Sequence, residues 1–157
     1  MHFFSPSKGK ISIQELLTEL SLYIQDSSPS NYKIIIGTDS QTYKDKTIFV
    51  TAVIIQRLGK GARFFYKKKK QKPIHDLRTR IYTETELSLK HLNSLKEKGL
   101  ANLFAKYPVE VHVDIGRNGD TRQLIHEVVG WVTAVGYTAK IKPDSFGASS
   151  VADKFTS

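Results

Sequence analysis

After the three strand-like runs that begin at residue 33, the hydrophobic period of this chain changes at Pro73, and that change restricts the folds open to it. Upstream lie three apolar or β-branched runs, KIIIGT at 33–38, TIFVTAVIIQR at 47–57 and ARFFYKK at 62–68. The breaks between them, SQTYKDK and RLGKG, are short, so three strands in an antiparallel meander are predicted. Downstream, stepping 100° per residue brings Leu77, Ile81, Leu92 and Leu95 into one sector, which predicts a long helix from about 75 to 98 ending near Gly99. PVEVHVDIG at 108–116 then alternates, with Val109, Val111, Val113 and Ile115 on one face and Glu110, His112 and Asp114 on the other, as a fourth strand does. TRQLIHEVVGWVTAVGY places Leu124, Ile125, Val128, Val129, Val132 and Val135 at helical spacing before Gly136, and TAKIK gives a fifth short strand. Ahead of the meander, SIQELLTELSLYIQ at 12–25 is an amphipathic helix with Ser12 and Glu15 placed as a capping box. ASSVADKFTS is read as a short terminal helix capped by Ser149 or Ser150.

The resulting order, three hairpin-linked strands and then alternating helices and strands, gives an α/β fold. Its mixed five-stranded sheet is flanked by helices, with the last strands joined through right-handed crossovers. A length of 157 residues suits one compact domain, residues 1–30 being a helical extension packed on it. No apolar run approaches the roughly 18 residues of a membrane span, and MHFFSPSKGK lacks the apolar core of a signal peptide, so a soluble cytoplasmic protein is expected. Cysteine is absent, which excludes thiolate chemistry and leaves oxygen or histidine to hold any metal. Lys and Arg number 24 against 15 acids, a net charge of +9, and part of the excess lies in RFFYKKKKQKPIHDLRTR at 63–80. Such a surface attracts polyanions, nucleic acid above all, with Lys67, Lys68, Lys69 and Lys70 as backbone contacts. Phe64, Phe65 and Tyr66 alternate in a strand and are read as core before they are read as base-stacking groups.

Four acids are candidates for chemistry. Asp39 is expected to end the first strand and Asp114 the fourth, and neighbouring strands would bring both to one region. On the third element Glu84 shares the helical angle of Leu77, Ile81, Ser88, Leu92 and Leu95 and so faces the sheet, whereas Glu86 is turned about 200° away. Asp153 is favoured over Asp144 as the fourth acid. Converging oxygen ligands are what Mg²⁺ or Mn²⁺ requires to bridge a scissile phosphate. His112 shares the strand face of Asp114 but is read as structural, and His75 and His126 have no metal-binding spacing. DIGRNGDTR lacks the GK[ST] of a P-loop and falls short of a dinucleotide fingerprint, and no GxSxG is present. Its functional reading is a loop that positions a nucleic-acid strand through Arg117 or Arg122.

IIIGTDSQ, AVIIQRLGKGA, YTETELSL, VHVDIGRNGDTRQLIHEVVGWVTAVGY and IKPDSFGASSVADKFT together resemble the YkuK-type ribonuclease H-like family. The resemblance runs from about residue 32 to the end. It implies the ribonuclease H-like fold and metal-binding acids at Asp39, Glu84 and Asp114, with Asp153 in VADK resembling the terminal aspartate of the resolvase branch. The function expected is a divalent-metal-dependent nuclease that hydrolyses phosphodiester bonds by a two-metal-ion mechanism. The alternative is a non-catalytic nucleic-acid-binding or assembly module on the same fold.

Overall fold

The computed structural model describes residues 2–25, 31–59 and 61–145. The terminal helix expected at 148–157 and Asp153 lie outside the described residues. The elements run β1 His2–Ser5, β2 Gly9–Ser12, α1 Ile13–Gln25, β3 Tyr32–Thr42, β4 Thr47–Arg57, β5 Ala62–Gln71, α2 Leu77–Leu95, α3 Ala101–Lys106, β6 Val109–His112, α4 Ile125–Val135 and β7 Thr138–Lys140.

The strands form one mixed sheet in the order β2-β1-β5-β4-β3-β6-β7. The meander is antiparallel, β3 to β4 and β4 to β5, while β6 lies parallel to β3 and β7 parallel to β6. This reproduces the expected five-strand order and corrects the count: among the described residues the sheet has seven strands, because β1 and β2 form a hairpin that joins β5 at Phe4 and Tyr66. Only one side chain of β2 and two of β1 are buried, so the segment carries too little apolar signal to be read as strand.

Alternation decides which side chains meet the helices. Ile34 and Ile36 of β3, Val53 and Ile55 of β4, Phe65 of β5 and Val109 and Val111 of β6 share one cluster with Leu16 and Leu20 of α1, Leu92 and Leu95 of α2 and Val128 and Val132 of α4. Burying each of these side chains is worth about 1.5–3 kcal/mol. The other sheet face carries two smaller clusters, Ile35, Ala52 and Ile54 against Phe64, and Ile48 and Val50 against Tyr43 and Tyr66.

Ser12 caps α1 as expected, its Oγ accepting from the Glu15 amide at 3.1 Å while Glu15 accepts from the Ser12 amide at 3.1 Å. Asp76 caps α2 by accepting from the Thr79 amide at 3.0 Å. The long helix is shorter than predicted. It passes at Lys96–Leu100 into a π-helical turn and then α3, with Gly99 at φ 142° and α1 so close that a Cβ there would meet Leu17 Cδ1 at 3.1 Å. Among the described residues no helix is long and apolar enough to cross a membrane.

Candidate functional site

The site begins where two parallel strands part. The Ile34 amide donates to the carbonyl of Pro108 at 2.9 Å, so even-numbered amides of β3 point toward β6. That ladder stops at Gly37 opposite His112. The Ser40 amide, beyond the end of β6, donates instead to Asp39 Oδ1 at 2.9 Å. Asp39 therefore does not end its strand as expected: β3 continues to Thr42, paired with β4 throughout, and only the β6 side is open. The charge stands where one neighbour has left the sheet.

Asp114 lies two residues past the end of β6 rather than on it. The Ile115 amide donates to the Val113 carbonyl at 2.9 Å, which makes Asp114 the middle of a three-residue turn. The Val113 amide donating to Lys140 and the Lys142 amide donating to Ile115 tie that turn to the strand beside it. The same chain brings Lys142 Nζ to 2.8 Å from Asp114 Oδ1.

Glu84 comes from α2, and hydroxyl groups fix its helix over the sheet. Ser88, one turn along, shares a hydrogen bond with Thr38 at 2.8 Å, and Thr38 shares another with Thr51 at 2.8 Å. Glu84 is only 5% exposed, whereas Glu86 is exposed, as the helical angle requires. Ser40 Oγ donates to Glu84 Oε2 at 2.5 Å, and Oε1 is buried without a partner among the described residues. Burial pushes the Glu84 carboxyl well above the usual range, the Ser40 hydrogen bond opposes this, and the charges of Asp39 and Asp114 raise it further. Lys142 feels the same group from the other side: its ammonium is held above the usual lysine range first by Asp114 and then also by Asp39 and Glu84. Strand, helix, turn and lysine thus share one electrostatic neighbourhood.

The other candidates lie elsewhere. Asp144 is exposed in the turn after β7, its amide donating to Ile141. His112 Nε2 is 3.0 Å from Glu110 Oε1, and Glu110 pairs with Lys33 at 3.2 Å, a polar group on the sheet face away from α2. Arg117 and Arg122 are exposed around the loop that follows Asp114. The four lysines lie on β5, which runs to Gln71 and so is longer than expected. Among the described residues no three acids or histidines stand close enough to form a ready-made metal centre.

Ser40, Thr38 and Lys142 escaped the sequence reading, and Ser88 was read only for its inward angle. Ser88 shares the inward angle of Glu84, and Thr38 and Ser40 flank Asp39, so polar residues at core angles were the available signal. Lys142 had none, because its pairing depends on how the chain beyond β7 runs beside the turn at Asp114.

A family model described as ribonuclease H-like matches residues 15–157. The uncharacterized protein YkuK of Bacillus subtilis (strain 168) is 38% identical over 165 residues, covering 98% of this chain and 96% of that protein. No solved structure gives a significant match. With the sheet order, the acids around the parting of β3 and β6, and a match over nearly the whole chain, this protein belongs to the ribonuclease H-like family.

Proposed function

We propose that this protein is a divalent-metal-dependent nuclease, a single cytoplasmic domain that hydrolyses phosphodiester bonds of nucleic acid with two metal ions. One observation carries the reading: Glu84 is buried, one of its oxygens has no partner among the described residues, and the charges of Asp39 and Asp114 act on it. A carboxylate so placed costs several kcal/mol unless it holds a proton or faces a cation. The donors are all carboxylate oxygens, the type Mg²⁺ and Mn²⁺ prefer, so Asp39, Glu84 and Asp114 suit such ions in chemistry, and binding would have to draw the three closer together, with Asp153 as a proposed fourth ligand. Bound there, the ions would supply an activated water and neutralise charge on the phosphate and the leaving oxygen.

The chain's own work is orientation. The Ser40 amide holds Asp39, the Ser40 hydroxyl holds one oxygen of Glu84 and leaves the other without a partner among the described residues, and the turn at Val113–Ile115 holds Asp114. Lys142 neutralises Asp114, and a side chain 60% exposed is free to transfer its ammonium to an incoming phosphate. Of the lysine run, Lys68 and Lys70 on one sheet face would grip the backbone away from the cut, with Arg117 and Arg122 gripping it beside the acids.

The test is incubation with labelled single-stranded, duplex, hybrid and branched substrates in Mg²⁺ or Mn²⁺. Cleavage that disappears in both Asp39→Asn and Asp114→Asn supports the reading; cleavage indifferent to both, or none on any substrate, ends it. The Asp114–Lys142 pair favours a second reading, a non-catalytic nucleic-acid-binding or assembly module in which that pair is structural. It predicts binding unchanged in Asp39→Asn and no thermal stabilisation by either metal.

A further inference from the structure

Past Asp114 the chain crosses a cleft the acids do not occupy. Three adjoining depressions of about 430, 670 and 450 Å³ share Arg117 as a lining residue. Their floor is apolar, with Ile125 and Val129 of α4 and Ala139 and Ile141 at β7. The rim is cationic or polar, with Arg117, Arg122, Lys142 and His126. Asp120, the one acid of the intervening loop, does not line the cleft, and Glu127 of α4 is engaged by Arg78 at 3.0 Å. The cleft also abuts the acids. Lys142 lines it while its Nζ reaches Asp114, and Gly116 packs so near that a Cβ there would lie 3.4 Å from Lys142 Cβ.

We propose that this cleft holds one unpaired nucleotide of the substrate strand, the neighbour of the bond placed at the acids, so that the protein acts on single-stranded or frayed nucleic acid. The proposal rests on the reading that the acids act on nucleic acid and narrows it to a strand conformation. A heteroaromatic ring joined to a phosphate is the ligand that an apolar floor under an arginine rim complements, and the depressions are of small-ligand size. A base inside a duplex has both faces covered by its neighbours. To lie on the Ile125–Val129 floor it must leave the stack.

The test is fluorescence anisotropy on the full chain in EDTA, which separates binding from cleavage, with a 5′-labelled single-stranded hexamer and the same sequence in a blunt hairpin. Two variants reach the cleft differently. Arg117→Ala with Arg122→Ala strips the rim. Gly130→Phe places a large side chain at a lining position of the floor, where nothing lies within 4 Å of a Cβ. The expected result is single-strand affinity about tenfold weaker in both, with hairpin affinity unchanged in Gly130→Phe. Single-strand affinity unchanged in Gly130→Phe overturns the cleft even if the wild type cleaves, and the nuclease reading then stands alone. Cleft-dependent binding by a wild type that never cleaves upholds the cleft and removes the nuclease. A free 5′-mononucleotide that binds as tightly as the hexamer overturns the assignment to a strand.

Discussion

Lys67, Lys68, Lys69 and Lys70 are consecutive, and the strand that carries them divides them; Asp39, Glu84 and Asp114 are far apart in the chain, and the fold draws them toward one place. On β5, Phe65 lies in the cluster under the helices, so Lys67 and Lys69 share that face while Lys68 and Lys70 share the opposite one with Phe64 and Tyr66. Lys67 lies near enough to α2 and the turn after it that burial, and then Lys90 and Lys98, lower its pKa. Lys68 stands in the same cross-strand row as Val50 and Asp39, two strand spacings or about 10 Å from the acid. In a sheet, neighbours in sequence are sent apart by the pleat, and residues remote in sequence are gathered by register. A charge run is therefore not a patch until the register is known.

The largest test of the gathered region is Asp39→Asn, expected to lower cleavage by roughly a thousandfold, the several kcal/mol that metal-held charge stabilisation is worth. Binding in EDTA should persist, and a residual rate near wild type would break the comparison at its acid end.

The divided run is tested through His91, which is buried against Phe3 on the helix face. Burial, then Lys67, Lys90 and Lys69, lower its pKa to about 4. Unfolded, it takes a proton near 6.5. Stability should accordingly fall as pH drops from about 6.5 to 4, by up to about 3 kcal/mol from this residue, and His91→Leu should flatten that part of the profile in urea unfolding. A variant as acid-sensitive as the wild type would mean that the ring is not held neutral by burial and its lysine neighbours on that face.

The two halves of the run should also differ in binding. Lys68→Ala with Lys70→Ala is expected to lower the salt slope of single-strand affinity by about 1.5, and Lys67→Ala with Lys69→Ala to leave it unchanged. Equal losses would show that the strand does not sort the lysines. The smallest effect is on stability: Glu84→Gln relieves a buried acid near two others and should raise the metal-free melting temperature by a few degrees, as about 1 kcal/mol does at this size. A lower melting temperature would mean that the carboxyl is needed for packing.

Legibility followed the range of the interactions. Residues 47–57 and the capped helix at 13–25 were readable because their signals are local, a β-branched run and a Ser-x-x-Glu pair. Glu84 over Glu86 was readable because one helical turn decides it. The lysine half of β5 was not, since lysine disfavours strands and only the ladder to β4, from Thr51 opposite Lys67 to Thr47 opposite Gln71, holds it extended. The placing of Asp39 beside an open edge was half readable. The acid was visible, but the reason it is open is where β6 stops, and that is set by the turn at Asp114.

The hairpin β1–β2 has a consequence for molecules meeting one another. It covers β5 at Tyr66 and leaves the strand's remaining outer border, Lys67 to Gln71, with like charge at nearly every position. At the opposite border β7 is three residues long and ends in Lys140. Along these two borders a second copy would meet like charge or a strand of only three residues rather than an apolar margin, and the positive charge that would attract a polyanion would repel another such border.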